Sequence, residues 1–197
     1  YNGFALERTA DALLALAERW PNHADAGAWR DAFAAYLEGF VFPLAARNAY
    51  GIVPLAVFET PLTRETYRPL GDGLGYRYFF PSRLRKWWQG TNCHFGGHAT
   101  LLARAATFLP GVDRQRCLDL GYRQLEWIVG RNPFGASMMT GVGVRHPYPY
   151  SAQVGPIPGG IMNGIAGNDG DEPVLDTRFT MDWRTTVVTP LVCVNII

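Results

Sequence analysis

The chain begins with two segments in which apolar residues recur every three or four positions. The first stripe consists of Leu6, Ala10, Leu13, Leu14 and Ala17. Pro21 follows and stops the run, and Asp25 stands where the N-cap of a second helix belongs. The second stripe consists of Trp29, Phe33, Tyr36, Leu37 and Phe40. Because only a short polar connection separates the stripes, the pattern predicts an αα-hairpin over the first forty residues.

Two further helices are predicted in the middle of the chain. One begins at Thr91 or Asn92 and ends before Pro110. Its apolar stripe consists of His94, His98, Leu101, Leu102, Ala105 and Phe108. The other runs from about Val112 to Val129, and Gly130 occupies the place of a left-handed C-terminal cap.

The remaining segments lack a clear period because proline and glycine interrupt them. Residues Gly51 to Phe58 suit a short helix or a strand equally well, and Thr60 to Gly90 is predicted as a long loop. Residues Gly130 to Pro173 are dense in glycine and proline yet carry many large apolar side chains. Few strands are evident, so the predicted class is all-α with long glycine-rich and aromatic loops.

Composition narrows the classes of function. The 197 residues are 48% hydrophobic, and 18 basic side chains balance 17 acidic ones. Because the basic residues do not cluster, nucleic acid and anionic membrane surfaces are not expected as partners. No run is apolar for long enough to span a membrane, and the polar start at Tyr1 is not typical of a signal peptide. Cys93, Cys117 and Cys193 lack metal-ligand spacing and leave the compartment open.

Two groups of residues are weak candidates for ligand chemistry. His94 and His98 lie four residues apart and share a helix face, but Phe95, Gly96 and Gly97 separate them and no acidic residue stands in the same turn. We therefore predict no metal site and a structural or ligand-facing role. The glycine pair at 96–97 and the alternating glycines at 71, 73 and 75 lack the context of a phosphate-binding loop.

Aromatic residues are the stronger signal. Trp87 and Trp88, with Tyr76 and Tyr78 before them, could line a groove with Tyr148 and Tyr150, stacking on the apolar faces of sugar rings. The alternative is that many of these rings are ordinary core. Both interpretations remain open at this point.

The most specific stretch begins with Gly130-Arg131-Asn132-Pro133 and continues with Ser137-x-Met139-Thr140-x-x-Gly143-x-Arg145. Pro158-Gly159-Gly160 and Asp176-x-Arg178 follow it. In this order the motifs resemble the C-terminal part of the catalytic module of the family-nine glycoside hydrolases, the cellulase-type endoglucanases. The resemblance is strongest from Gln124 to Asp182 and weaker over Asn92 to Phe108.

The resemblance implies a fold and a reaction. It implies that residues 1–197 form the C-terminal portion of a single (α/α)6 domain, a toroid of helical hairpins, with the N-terminal half of that domain as the missing partner. It also implies inverting hydrolysis of a β-linked polysaccharide by two carboxyl groups about 6.5–9.5 Å apart. Such enzymes are secreted or periplasmic, and relatives often bind calcium, for which Asp169, Asp171 and Glu172 form a candidate oxygen-rich loop beside the alternative of a solvated acidic surface.

The chain departs from the family pattern where the chemistry is expected. Ser151, Ala152 and Gln153 stand in place of an H-x-R triplet, so Arg145 and His146 are the alternative substrate contacts. The catalytic acid is expected at Thr185 or Val187, and no paired-aspartate motif for the base precedes residue 60. The expected glycan contacts are Arg145, His146, Tyr148, Tyr150, Trp87, Trp88, Arg178 and Asp176, the last orienting Arg178. We therefore expect this chain alone to be inactive, and the alternative function is a non-catalytic carbohydrate-binding module that has lost the acid.

Overall fold

The protein combines helices with two small antiparallel sheets. A computed structural model describes residues 6–59, 67–80, 90–149, 157–175, 177 and 183–188. The helices are α1 (Leu6–Arg19), α2 (Ala26–Tyr36), α3 (Phe42–Ala45), α4 (Asn92–Phe108), α5 (Arg114–Ile128) and α6 (Trp183–Thr186), with a π-helical turn at Leu37–Val41. The strands are β1 (Ala56–Glu59), β2 (Arg68–Gly71), β3 (Leu74–Arg77), β4 (Ala166–Gly167) and β5 (Pro173–Val174).

The predicted N-terminal hairpin is confirmed. Helices α1 and α2 pack against each other, and Leu14 and Phe33 from their apolar stripes are fully buried. Helix α1 also packs against α4, where Arg104 forms ion pairs with Asp11 and Glu18. Helix α1 therefore packs against both α2 and α4.

The two further predicted helices correspond to α4 and α5, and they pack against each other. Asp113 caps α5 by accepting a hydrogen bond from the Arg116 amide at 3.0 Å. Gly121 of α5 faces Ala99 of α4, and a Cβ at Gly121 would make an ordinary van der Waals contact with the Ala99 carbonyl oxygen at 3.5 Å. Gly130 has φ +125°, so the predicted left-handed residue after α5 is confirmed.

Two of the three strands of the first sheet, β2 and β3, lie in the region predicted to be a loop. Its strand order is β1-β3-β2, with both pairs antiparallel. Asp72 and Gly73 connect β2 to β3, and both have positive φ, as a type I′ hairpin turn requires. The undecided segment before Phe58 thus contributes a strand, and the expectation of a continuous loop from Thr60 to Gly90 is wrong for residues 68–77.

The all-α prediction, and with it the toroid of helical hairpins, is contradicted by these sheets. The three strands of the first sheet have only four residues each, too few to establish a period of two. Pro69, Gly71 and Gly75 also lie within strands, where they hide the pattern of alternating side chains. The protein is therefore a mixed α and β structure. Among the helices described, none has the length and apolar character needed to cross a membrane.

Aromatic rings join the helices to the first sheet. Trp127 from α5 is 1% exposed and contacts Tyr50, Phe79 and Phe95 at ring-centroid distances of 5.1, 5.7 and 5.9 Å. Such offset and edge-on contacts favour packing of large rings. The core therefore extends from the helical hairpins, across Trp127, to the end of the sheet, and the loop after α5 starts from this rigid base.

Candidate functional site

The loop after α5 is fixed at its base by a single side chain. The amide nitrogen of Asn132 donates to the carbonyl oxygens of Trp127 at 2.9 Å and Ala136 at 2.8 Å. Its side-chain oxygen accepts from the backbone amides of Phe134 and Ala136. Asn132 is 7% exposed, so these four bonds form away from water. The residue thereby ties the last turn of α5 to the start of the loop.

A second set of bonds closes the loop. The Ser137 amide donates to the Val144 carbonyl oxygen at 3.0 Å, and the Met138 amide donates to the Ile128 carbonyl oxygen at 2.7 Å. The chain at Gly143 passes so close to the end of α5 that a Cβ there would lie 2.7 Å from the Val129 carbonyl oxygen. Residues 137–144 therefore form a closed loop whose conformation depends on the absence of a side chain at position 143.

Two motifs that are distant in sequence meet at this loop. The Thr140 amide donates to the Gly160 carbonyl oxygen at 3.0 Å, and the Gly159 amide donates to the Thr140 carbonyl oxygen at 2.8 Å. Met139 and Ile161 form an isolated antiparallel bridge beside them. The structure therefore brings the Pro158-Gly159-Gly160 turn against the loop that carries Thr140.

Three predicted contact residues follow the closed loop. Arg145 is exposed and has φ +55°, an uncommon conformation for a residue with a side chain. His146 is half-buried, and Tyr148 is 88% exposed. Among the described residues, none of the three side chains has a hydrogen-bond or ion-pair partner. The loop thus presents a cation, an imidazole and a phenol that are available to a ligand.

Buried polar atoms without partners lie in the same loop. They include the hydroxyl oxygen of Thr140 and Nδ1 of His146. A buried polar atom that lacks a hydrogen bond costs free energy, so such atoms tend to mark sites that water or a ligand completes. In the sequence, Thr140 lies within the loop that the bond between Ser137 and Val144 closes, and His146 lies two residues after that loop.

The positions expected for the catalytic acid are described, and neither side chain is a proton donor of the required kind. Thr185 is 0% exposed, and its carbonyl oxygen accepts from the Gly164 amide at 2.8 Å. Val187 is half-buried, and its carbonyl oxygen accepts from the Asn163 amide at 2.8 Å. The segment 185–187 therefore packs along residues 163–164, and it places a hydroxyl and an isopropyl group where a carboxyl group was expected.

The N-terminus of α4 also forms hydrogen bonds to residues 162–165. The side-chain nitrogen of Asn92 donates to the Met162 carbonyl oxygen at 2.9 Å, and the Asn92 amide donates to the Asn163 carbonyl oxygen at 2.9 Å. The Thr91 hydroxyl donates to the Ile165 carbonyl oxygen at 2.9 Å. Residues 162–165 therefore link the N-terminus of α4 to the segment after Trp183.

The two histidines of α4 are buried and bonded to protein groups. His94 Nε2 donates to the Pro54 carbonyl oxygen at 2.9 Å, and His98 Nδ1 donates to the His94 carbonyl oxygen at 3.0 Å. The Tyr36 hydroxyl lies 2.8 Å from His98 Nε2 and donates to it when the imidazole is neutral. These contacts give the pair a structural role in joining α2, α4 and the segment before β1.

The acidic loop considered for calcium turns its central carboxylate into the protein. Asp171 is 0% exposed, and it accepts hydrogen bonds from the backbone amides of Tyr78 and Phe79 at 3.0 Å. Arg68 Nε donates to the same carboxylate at 2.7 Å, and Arg77 Nε lies 3.9 Å away. Both oxygens of Asp171 are thus engaged with protein donors.

The guanidinium of Arg77 completes this buried cluster. Arg77 is 2% exposed and donates to the carbonyl oxygens of Asn168 at 2.6 Å and Asp169 at 3.0 Å. Burial favours the neutral form of Arg68, but its hydrogen bond to Asp171 and the charge of that carboxylate raise the pKa of Arg68 above its ordinary value. The described residues contain no group of three or more metal-ligand side chains placed to hold an ion.

The remaining candidate residues separate into two sets. Tyr76 and Tyr78 are 6% and 2% exposed, so they belong to the core and not to an open groove. The Tyr78 hydroxyl donates to the Leu44 carbonyl oxygen at 2.7 Å, and burial raises the pKa of Tyr78 to about 12. The other candidates lie outside the described residues: Trp87, Trp88, Tyr150, Asp176 and Arg178.

Two structural features that support this region were missed in the sequence. The cluster of Asp171, Arg77 and Arg68 has no local signal, because the carboxylate and the arginines are about a hundred residues apart. The role of Asn132 in holding the loop could have been inferred, since asparagine before proline commonly bonds to nearby backbone.

No protein-family model matches the chain, and comparison with curated proteins finds no match.

Proposed function

We propose that this chain binds a β-linked oligo- or polysaccharide and belongs to a glycoside hydrolase of the cellulase type. The observation that carries the proposal is the set of three side chains after the closed loop. Arg145, His146 and Tyr148 have no partner among the described residues, whereas the loop beneath them is fixed by the four hydrogen bonds of Asn132. A rigid base with free polar and aromatic groups favours ligand binding because little conformational entropy is lost.

The chemistry of the three groups suits a sugar. A pyranose ring has an apolar face of C–H groups and an edge of hydroxyls that both donate and accept. Tyr148 offers a flat ring for the apolar face, Arg145 donates to hydroxyl oxygens, and His146 can donate or accept through its ring nitrogens. The unpartnered Thr140 hydroxyl is a further polar group on the same loop.

Hydrolysis needs more than these contacts. In the inverting mechanism one carboxyl group protonates the leaving oxygen, and a carboxylate on the opposite face activates water. Thr185 and Val187 supply neither group, and the base is expected from a segment outside this chain. The reaction is therefore proposed for the whole protein, with this chain supplying glycan-binding residues.

The alternative function is non-catalytic carbohydrate binding. The observation that favours it is specific: position 185 carries a threonine and position 187 a valine, at the place where the acid is expected. A longer parent protein that hydrolyses a soluble β-glucan would support the enzyme. A parent that binds the same glucan without releasing reducing ends would support the binding module.

Calorimetric titration with gluco-, xylo- and chito-oligosaccharides tests the shared part of both proposals. We expect saturable binding of at least one series, and no release of reducing sugar by this chain. In the parent enzyme His146→Ala should lower the rate of hydrolysis by at least about tenfold, which corresponds to about 1.4 kcal/mol.

His23→Ala is the matched control for His146→Ala. His23 is exposed, lies in the connection between α1 and α2 and stacks on Trp29 at 4.9 Å. Its removal should leave glycan binding unchanged. Equal binding by both variants, or no binding of any of the three series by the unchanged chain, would contradict the proposal.

A further inference from the structure

A cavity away from the candidate loop lies where α1, the start of α2 and the end of α4 meet. Its volume is about 230 Å³. The residues that line it are Leu14, Ala17, Glu18, Pro21, Arg30 and Phe108. None of them belongs to the loop that carries Arg145, His146 and Tyr148, so this cavity is separate from the site described above.

Its polar side chains have unused hydrogen-bonding capacity. Glu18 Oε2 accepts from Arg104 at 2.9 Å, whereas Glu18 Oε1 is buried and has no hydrogen-bond partner. Among the described residues, Arg30 forms no hydrogen bond or ion pair. The ion pair with Arg104 holds Glu18 in place, so the cavity contains a fixed acceptor and a free guanidinium donor.

Its apolar surface is provided by the floor and by one exposed ring. Leu14 and Ala17 form a buried floor at 1% and 3% exposure. Phe108, the last residue of α4, is 54% exposed although it is a large apolar side chain. A ligand that covered this ring would remove apolar surface from water, which favours binding.

We propose that this cavity binds one pyranose residue of a β-linked glycan, as a second and non-catalytic site. A sugar hydroxyl donates to Glu18 and another accepts from Arg30, while the C–H face of the ring covers Phe108. A hydrocarbon ligand would leave Glu18 and Arg30 unpaired, and a phosphate would be repelled by Glu18. The volume is below the 300–1,000 Å³ of typical drug-sized sites, which suits one ring rather than a longer segment.

The proposal shares its ligand class with the proposed function but none of its residues, so the two can fail independently. Amide chemical shifts of isotope-labelled chain, titrated with cellotetraose, report both sites at once. In a His146→Ala background we expect saturable shifts at residues 14–30 and at Phe108. Phe108→Ala or Arg30→Ala in that background should weaken the binding by about tenfold, as the loss of one main contact does.

Two control variants match these changes. Tyr122→Ala removes another exposed aromatic ring, which is 62% exposed and lines a different groove between α4 and α5. Arg19→Ala removes an exposed arginine beside Glu18 that does not line the cavity. Neither should change the shifts at Phe108, whereas Phe108→Tyr should retain binding because a flat ring remains.

Shifts confined to residues 140–148, or absent from both regions, would overturn the second site. Ligand-induced shifts at position 108 and at residues 14–30 that persist unchanged in both Phe108→Ala and Arg30→Ala would also overturn it. Shifts around Phe108 without any at residues 140–148 in the unchanged chain would support the second site and contradict the proposed function.

Discussion

The acidic loop at residues 168–172 and the glycine-rich loop at residues 137–148 use their polar side chains in opposite ways. Asp171 is fully buried and accepts from two backbone amides and Arg68. Tyr148 is 88% exposed, and neither it nor Arg145 has a partner among the described residues. The carboxylate of the first loop binds donors of the protein itself, whereas these side chains of the second loop have no protein partner among the described residues.

This difference teaches that residue type alone does not identify a binding loop. Both loops contain glycines with charged neighbours, and both were candidates for ligand contacts. What separates them is whether the protein itself supplies the partners. A buried carboxylate that already has its donors contributes to stability, whereas an exposed guanidinium without a protein partner has its donors free for the binding that we propose.

The largest expected effect comes from removing the buried carboxylate. Asp171→Ala would leave Arg77 as a buried cation without its carboxylate and the amides of Tyr78 and Phe79 without their acceptor. Removing one partner of a buried pair costs about 3–5 kcal/mol in the free energy of unfolding. Urea denaturation measures the loss, and Glu172→Ala, which removes an exposed hydrogen bond to Asn168, should cost less than about 1 kcal/mol.

A loss from Asp171→Ala no larger than that from Glu172→Ala would break the comparison between the two loops. The buried carboxylate of Asp171 would then contribute no more to the free energy of unfolding than an exposed carboxylate does.

Substitutions at two glycines test whether the glycine-rich loop depends on its close contact with the end of α5. Gly143 and Gly141 both have positive φ, but only a Cβ at Gly143 would clash, at 2.7 Å from the Val129 carbonyl oxygen. Gly141→Ala should cost about 1 kcal/mol for its backbone conformation alone. Gly143→Ala should cost more, about 2–3 kcal/mol, because the loop must also move away from α5.

Thermal unfolding and glycan titration together measure both effects. We expect Gly143→Ala to weaken glycan binding and Gly141→Ala to retain most of it. The same stability and the same affinity in both variants would show that the position of residues 145–148 does not depend on the contact at Gly143.

Tyr78, the buried residue after β3, also predicts how the free energy of unfolding depends on pH. Burial raises the pKa of Tyr78 from 10.0 to about 12, so the folded protein favours the neutral phenol. The stabilisation from Tyr78 is therefore complete below pH 10 and is lost as the pH rises through about 12. In Tyr78→Phe the free energy of unfolding should fall less steeply from pH 10 to 12, as urea denaturation at fixed pH values measures. An equal slope in the two proteins would contradict this role.

The smallest effect on stability is expected from Tyr148→Ala. The side chain is 88% exposed, so the free energy of unfolding should change by less than about 0.5 kcal/mol. Glycan affinity should nevertheless fall by about tenfold, because one stacking surface is lost. Unchanged affinity with unchanged stability would remove Tyr148 from the site.

The helices could be predicted from the sequence because each carries a long apolar stripe and a recognisable end. The start of α4 at Asn92, the cap before α5 and the left-handed Gly130 all follow from local rules. The first sheet could not be predicted to the same degree, since its strands have four residues and contain proline and glycine. The Asp72-Gly73 pair was the available signal for the hairpin, and it was interpreted only as a break.

The candidate contact residues were selected from the sequence, whereas the buried supports were not. Arg145 ends the recognised motif, and His146 and Tyr148 follow it; the structure places all three on one loop without partners among the described residues, and their role stays a prediction. The inward turn of Asp171 depends on donors from β2 and from the end of β3, which no local pattern specifies. Buried polar clusters are long-range products of the fold, so sequence periodicity does not report them.

The bond from the Tyr78 amide to Asp171 spans 93 residues of sequence. Strands β2 and β3 can therefore pair early, but their buried arginine finds its carboxylate only when the chain has been made as far as residue 171. Closing so long a loop carries an entropic cost that local helix formation does not, and it slows folding. On the ribosome, this sheet reaches its final stability only after residue 171 has been made.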